Sequence, residues 1–339
     1  MRTTSLKRPR RGSVASSTPP RAPTPGAAAR RVRRARSASK TGADGPDRPL
    51  LLLDCFSLLY RAYHAVPSLQ APDQRTQVNA VLGFLNYLSR LVPDRQPGRL
   101  VVALDADWRP AFRVEALPSY KVHRVAPEGQ GPDEVEQQLP ALVEILAAFG
   151  LSTGEAEGYE AEDVIATLAR GSKGQVEIVT GDRDCFALVR PGRVRILYTL
   201  KGVSQLAIVD EAWITAKYGI PGDRYLDYAL LRGDPSDGLP GVPGIGDKTA
   251  STLLRRYGSL EALLAAPDLA PPLRVKLKNA KQYLEAARRV VAPVDDVRVI
   301  GGDGAIPRQP AHPRRLVDLA KRYGLERSVD RLVRTLMDA

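Results

Sequence analysis

The chain has 339 residues, a formal charge of +12 and a pI of about 9.8, long enough for two domains with a sizeable core plus an extension. No run of eighteen apolar residues occurs, which excludes a membrane-spanning helix. Two cysteines, Cys55 and Cys185, give neither a disulfide framework nor zinc spacing, and three dispersed histidines exclude a histidine metal site.

The basic excess lies almost wholly in residues 1–48, where thirteen Lys or Arg stand against Asp44 and Asp47; the remainder is near neutral. Rich in Arg, Pro, Ser, Thr and Ala, this tail is expected to be disordered. Three readings stay open for it: a nucleic-acid tether through phosphate contacts, a solvated extension, or residues upstream of a misassigned start codon. It has no apolar h-region and so does not read as a signal peptide; the expected location is cytoplasmic.

From residue 49 the chain alternates short apolar runs with helical stretches. Leu50–Leu53 reads as a strand ending in Asp54, a helix follows, a second covers about Val78–Leu91, and Leu100–Leu104 is a buried strand ending in Asp105. Residues 108–131 then mix basic and aromatic side chains, Trp108-Arg109-Pro110, Phe112-Arg113 and Tyr120-Lys121-Val122-His123-Arg124, and close in the turn-forming stretch Pro127–Pro132. Such a segment between regular elements reads as a functional loop or lid. An amphipathic helix is expected over Asp133–Phe149. A short strand precedes Glu160-Ala161-Glu162-Asp163, which opens a helix running to Arg170. Val176–Thr180 is the next strand, leading into Gly181-Asp182-Arg183-Asp184. Val194–Leu197 and Leu206–Val209 read as strands, Ala212–Lys217 and Arg224–Leu231 as helices.

Nine acids punctuate these elements: Asp54, Asp105, Glu160, Glu162, Asp163, Asp182, Asp184, Asp234 and Asp237. Most stand at a strand end or a helix start. A mostly parallel α/β sheet would bring them to one crevice at its carboxyl edge. Side by side, ionised carboxylates raise each other's pKa unless hard cations neutralise them, so the pattern predicts a divalent-metal site. Helix capping accounts for one or two of them, but three within Glu160–Asp163 exceed what capping needs. The cysteines, each following a proposed metal-site acid, read as buried core residues ahead of a redox pair. No Ser-His-Asp grouping, P-loop or dinucleotide fingerprint is present.

Beyond Gly233 the run Asp234–Ala250 is dense in turns. Gly244-Ile245-Gly246 lets backbone approach a ligand, and the following helix start, with Lys248 and Thr249 in its first turn, offers amides to a phosphate. The block GVPGIGDKTA therefore reads as a helix-hairpin-helix type element that grips a DNA backbone without reading sequence.

With these blocks in hand, the chain from about residue 49 onward resembles the 5′-nuclease family: the 5′-3′ exonuclease domain of bacterial DNA polymerase I, free-standing 5′-3′ exonucleases and flap endonucleases. LLLDCFSLLYRAYHA, VVALDADWRPAFRVEALPSYKVHR, EGYEAEDVIATLAR, TGDRDCFAL and GDPSDGLPGVPGIGDKTA match its blocks in order. The resemblance implies a PIN-like mostly parallel sheet with flanking helices and a helical arch over residues 49–232, then a helical domain over 233–339 with a helix–three-turn–helix motif. It implies metal-dependent hydrolysis of DNA at 5′ ends, nicks or flaps. Two Mg²⁺ ions about 4 Å apart, or Mn²⁺ in their place, would activate a water and stabilise the leaving 3′ oxygen. Asp105, Glu160, Glu162 and Asp182 would lie nearest the first ion and Asp184, Asp234 and Asp237 nearer the second. Asp54 and Asp163 would complete the pocket, through water or by orienting the others.

Lys121 and Arg124 would neutralise the scissile phosphate. Arg113, Lys121, Arg124, Gly244, Gly246, Lys248 and Thr249 would contact DNA, with K⁺ at the hairpin as in related proteins. Tyr60 and Tyr63 would either stack on a terminal base pair or pack within their helix. An RNA primer in a hybrid is a further expected partner, no membrane is, and the expected state is a monomer. Cys55, Glu162, Gly238 and Trp108-Arg109-Pro110 depart from the family pattern, and Gly238 is expected to loosen the turn presenting Asp237. The alternatives are a non-catalytic, structure-selective DNA-binding protein with a disabled site and a PIN-like ribonuclease.

Overall fold

Four leucines in a row cannot form a half-exposed strand, and in the computed structural model they do not. The structure describes residues 48–125 and 133–339. β1 (Leu50–Asp54) lies at the centre of a seven-stranded sheet with β2 (Arg99–Ala103), β3 (Ser152–Glu155), β4 (Val176–Thr180), β5 (Val194–Lys201), β6 (Gln205–Val209) and β7 (Ile300–Gly301). The order is β6-β5-β4-β1-β2-β3-β7, with β1 to β5 parallel and both edge strands antiparallel. Leu50 and Leu52 enter one core, Leu51 and Leu53 the other, so β1 is buried on both faces.

The chain runs outward from β1 through β2 to β3, then returns to β4 on the other side of β1. That reversal leaves a crevice at the carboxyl ends of β1, β2 and β4. α1 (Cys55–Ala65), α2 (Asn79–Arg95) and α4 (Leu139–Phe149) cover one face. α3 (Ala111–Ala116) lies in the segment after β2. On the opposite face stand α5 (Ala161–Gly171), α6 (Glu211–Tyr218), α7 (Tyr225–Arg232), α8 (Asp247–Tyr257), α9 (Leu260–Ala265), α10 (Pro271–Asn279) and α11 (Lys281–Val291).

The described elements differ from the expectations in two places. The helix expected from Asp133 opens as a 3₁₀ turn at Glu136–Gln138 and becomes α only at Leu139, where Pro140 in the first turn has no amide to leave unpaired. Residues 233–339 do not stay on one side: β7 joins the far sheet edge beside β3, and α12 (Pro313–Tyr323) and α13 (Glu326–Met337) pack on α4 and α2. Their apolar stripes, Leu316, Leu319, Val329, Leu332 and Leu336, need a partner, and the core of Leu51 and Leu53 supplies it. The expected turn Pro127–Pro132 and the tail through residue 47 lie outside the described residues. Among the described residues no helix is long and apolar enough to cross a membrane.

Gly83 sets how closely α2 approaches α1, because a Cβ there would stand 2.6 Å from the Ala62 Cβ and 3.1 Å from Val66 Cγ2. Gly83→Leu is therefore expected to destabilise the fold by about 1–3 kcal/mol, read as a lower urea midpoint at unchanged slope. An unchanged midpoint would contradict this packing.

Candidate active site

Backbone amides and one threonine assemble the crevice. Asp54 accepts the Ser57 amide at 3.2 Å, capping α1, and accepts the Thr180 hydroxyl at 2.6 Å. The same Thr180 oxygen receives the Asp182 amide at 2.8 Å, and Asp182 Oδ1 takes the Asp184 amide at 2.9 Å. One hydroxyl thus joins the ends of β1 and β4. Asp105 accepts the Ala161 amide at 2.9 Å and so lies against the start of α5. Asp234 caps a 3₁₀ turn at Pro235–Asp237 through the Ser236 amide at 2.9 Å and pairs with Arg232 at 3.0 Å.

Two residues unmarked in the sequence analysis hold the Asp182 loop: Arg61 donates to the Gly181 carbonyl at 3.0 Å and Ser57 receives the Gly181 amide at 2.9 Å. Their signal was spacing. Ser57 and Arg61 lie three and seven residues after Asp54, on one helical face.

Positive charge enters this pocket from the segment after β2. Arg113, expected among the DNA contacts, is instead wholly buried and ion-paired with Glu160, with Glu162 at 2.9 Å and with Asp163 at 2.7 Å. An isolated buried guanidinium is prohibitively costly, and three carboxylates on one fork are what make it tolerable here. Lys121 pairs with Glu160, which also accepts the Tyr120 hydroxyl at 2.7 Å; Arg124 pairs with Asp237 at 2.5 Å. Asp163 is the acid expected to complete the pocket, and it holds the others in place. It is fully buried, takes the Glu160 amide at 3.1 Å in a capping box and the Val294 amide at 2.8 Å, and so fastens α5 to the irregular segment after α11.

The remaining charge is unbalanced. Burial, then the charges of Asp105 and Asp182, push Asp54 up to about 7. Burial carries Glu162 up to about 8 against the pull of Arg113. Asp184 stands well above the usual carboxylate range through burial and the charges of Asp182, Asp237, Glu162 and Asp234. Burial also raises Asp105 and Asp237. Among the described residues, Asp54, Asp105, Asp182 and Asp184 have no ion-pair partner, and no three acids converge at ligand spacing while Lys121 and Arg124 engage Glu160 and Asp237. The donors are nevertheless all carboxylate oxygens, with excess negative charge that internal cations only partly offset. That set fits hard divalent cations. Burial also holds both thiols well above their ordinary values, and Cys55 and Cys185 pack into opposite cores, so they are core residues and not a pair.

Gly238 corrects another expectation. It adopts φ +74° and its missing side chain makes room for the Ser119 carbonyl; Ser119 Oγ donates to the Gly238 carbonyl at 2.8 Å, and the Lys121 amide to the Asp237 carbonyl at 3.1 Å. Glycine here seats the turn against the Lys121 segment and does not loosen it. Farther along, Gly244, Gly246, Lys248 and Thr249 are exposed while Ile245, Ala250, Leu253 and Leu254 anchor the hairpin in the core. α8 starts at Asp247 without a side-chain cap, and Lys276 of α10 places its ammonium beside Gly244, a contact that no local pattern announces.

Two family models match the chain: 5′-3′ exonuclease, N-terminal resolvase-like domain, over residues 49–219, and 5′-3′ exonuclease, C-terminal SAM fold, over residues 220–310. A 5′-3′ exonuclease of Streptomyces coelicolor is 48% identical over 300 residues, covering 84% of this chain and 99% of that protein. One from Mycobacterium tuberculosis is 45% identical over 311 residues, covering 85% and 98%. Among solved structures, the T5 D15 protein co-crystallised with metal ions superposes with a TM-score of 0.58 at 18% identity, over 86% of this chain and 99% of that one.

The raised acids fix a pH dependence. A carboxyl whose folded pKa exceeds its unfolded value of about 4 binds its proton more tightly when folded. Its contribution is complete below that value and is lost as pH rises through the folded pKa. With Asp54 at about 7 and Glu162 at about 8, the thermal midpoint in EDTA is expected to fall between pH 5 and pH 8. A divalent cation at pH 8 should restore it. A midpoint that rises over this window would contradict the charge balance described.

Proposed function

The chain belongs to the 5′-3′ exonuclease family, and on that premise we propose that it acts on DNA at 5′ ends, nicks and 5′ flaps, as both exonuclease and flap endonuclease. It is a phosphodiester hydrolase that works with divalent metal ions. We assign Mg²⁺ as the ion, two per site, with Mn²⁺ able to replace it. The observation that carries the reading is the meeting of acids from four separate segments with Lys121 and Arg124 at one sheet edge.

In this reading Asp105, Glu160, Glu162 and Asp182 hold one ion, and Asp184, Asp234 and Asp237 the other. Bound there, the ions supply Lewis acidity that activates a water and stabilises the departing 3′ oxygen. The chain does the rest. Asp54 and Thr180 fix the Asp182 loop, and Asp163 with Arg113 holds the start of α5. Lys121 and Arg124 exchange their carboxylate partners for the phosphate and meet its growing charge. The exposed hairpin at Gly244–Thr249, with Lys276 beside it, takes the duplex backbone some way from the cut, with K⁺ at the turn. Phosphate contact of this kind positions the DNA without reading its sequence. The protein works as a monomer in the cytoplasm and also accepts an RNA primer paired to DNA.

A duplex with a 5′ flap, labelled separately at the 5′ end and internally, tests the reading in Mg²⁺ and in EDTA. Cleavage at the flap base, or stepwise from the 5′ end, is expected only with metal and is lost in Asp182→Asn. Lys121→Ala should lower turnover by about 10²–10³-fold with DNA binding retained. Tight binding without cleavage in Mg²⁺ or Mn²⁺ would instead make the protein a structure-selective DNA binder.

A further inference from the structure

Trp108 is a large, partly exposed aromatic side chain in the loop that follows Asp105. It is 39% exposed and belongs to neither core, and among the described residues no ring packs against it. The other tryptophan, Trp213, packs with Phe186 at 5.6 Å and Tyr218 at 6.0 Å between ring centroids. Exposure of Trp108 is not looseness of its backbone. The Asp107 amide donates to the Tyr159 carbonyl at 3.1 Å, and Asp107 Oδ1 accepts the Arg109 amide at 2.9 Å. Arg109 in turn donates to the carbonyls of Tyr120 at 2.7 Å and Pro118 at 3.2 Å. Both flanks of Trp108 are thus fastened, and none of these bonds involves the indole.

Its place in the site is equally fixed. Trp108 follows Asp105 by three residues, its carbonyl accepts Lys121 Nζ at 3.4 Å, and Lys121 is ion-paired with Glu160. The residue before Glu160, Tyr159, anchors the loop. The backbone of Trp108 is thus in contact with the side chain proposed to hold the phosphate.

We propose that Trp108 is a stacking platform for an unpaired nucleobase of the strand being cut, and that it sets a preference for 5′ flaps and frayed 5′ ends over fully paired ones. This rests on the nuclease reading above and adds the part of the substrate that the crevice recognises. Only an unpaired base offers a free face, since both faces of a base inside a duplex are already stacked. Stacking is tolerant of sequence because every base has a π-face, which suits a site that otherwise contacts phosphate. A rigid aromatic anchor also loses little side-chain freedom when it binds.

Trp213→Phe leaves Trp108 as the single indole, because the sequence has two tryptophans. Its fluorescence is titrated with a nicked duplex, with the same duplex carrying a 5′ thymidine flap, and with one carrying an abasic flap. Ca²⁺ replaces Mg²⁺ so that binding is read apart from cleavage. Quenching by the thymidine flap alone is expected. Trp108→Ala should weaken flap binding about tenfold or more while cleavage of the nicked duplex in Mg²⁺ is unchanged, and Trp108→Phe should restore most of the flap affinity. Equal quenching by the abasic flap, or an equal loss on flap and nicked substrates in Trp108→Ala, would overturn the proposal. Failure of the Trp213→Phe parent to cleave any substrate in Mg²⁺ counts against the nuclease reading instead, and the fluorescence titration still decides the stacking claim.

Discussion

Repulsion among carboxylates at the carboxyl edge of one sheet is the constraint on which the rest of this structure depends. A core of buried leucine strands tolerates no charge, yet β1, β2 and β4 each deliver an acid, at or just beyond the strand end, to the same crevice. The molecule answers partly from within. Arg113 lies at the bottom with no exposed surface, bound to three acids of one helix start, and Lys121 and Arg124 close over Glu160 and Asp237. Removing one partner from such a buried array leaves an uncompensated charge, a loss of about 3–5 kcal/mol. Arg113 therefore belongs to the architecture, whereas Lys121 and Arg124, nearer the surface, have somewhere else to go.

That difference links charge to function. Asp54, Asp105, Asp182 and Asp184 have no ion-pair partner among the described residues, and Asp54 and Asp184 stand well above the usual carboxylate range. In the proposed function, divalent cations and the phosphate of a substrate would relieve complementary halves of the imbalance: the ions would satisfy the acids, and the phosphate would take the lysine and arginine that the acids release. Trp108, whose carbonyl receives Lys121, is also an exposed aromatic residue in the loop after Asp105.

Much of this was legible in the sequence because it is local. The leucine run before Asp54, the strand Val176–Thr180 and the acidic start at Glu160 each carry their own periodicity or turn chemistry, and the structure places them as elements with nearly those bounds. What escaped is long-range. Nothing near Arg113 says that its guanidinium turns inward toward a helix about fifty residues away instead of outward toward DNA. The return of α12 and α13 to the face of α2, the short antiparallel pairing between β7 and β3, and Lys276 beside Gly244 depend on contacts between distant segments. Gly238 belongs with these, since the Ser119 carbonyl that demands a glycine lies over a hundred residues earlier.

Proton release on metal binding tests the central claim most directly. If the acids hold protons because repulsion and burial keep them neutral, divalent ions that bind them must displace those protons. Titration calorimetry with Mg²⁺ at pH 7, repeated in buffers of different ionisation enthalpy, should show net proton release that falls in Asp184→Asn. Metal binding with no proton exchange would contradict the account, because it would mean the pocket was already fully ionised and balanced before any ion arrived.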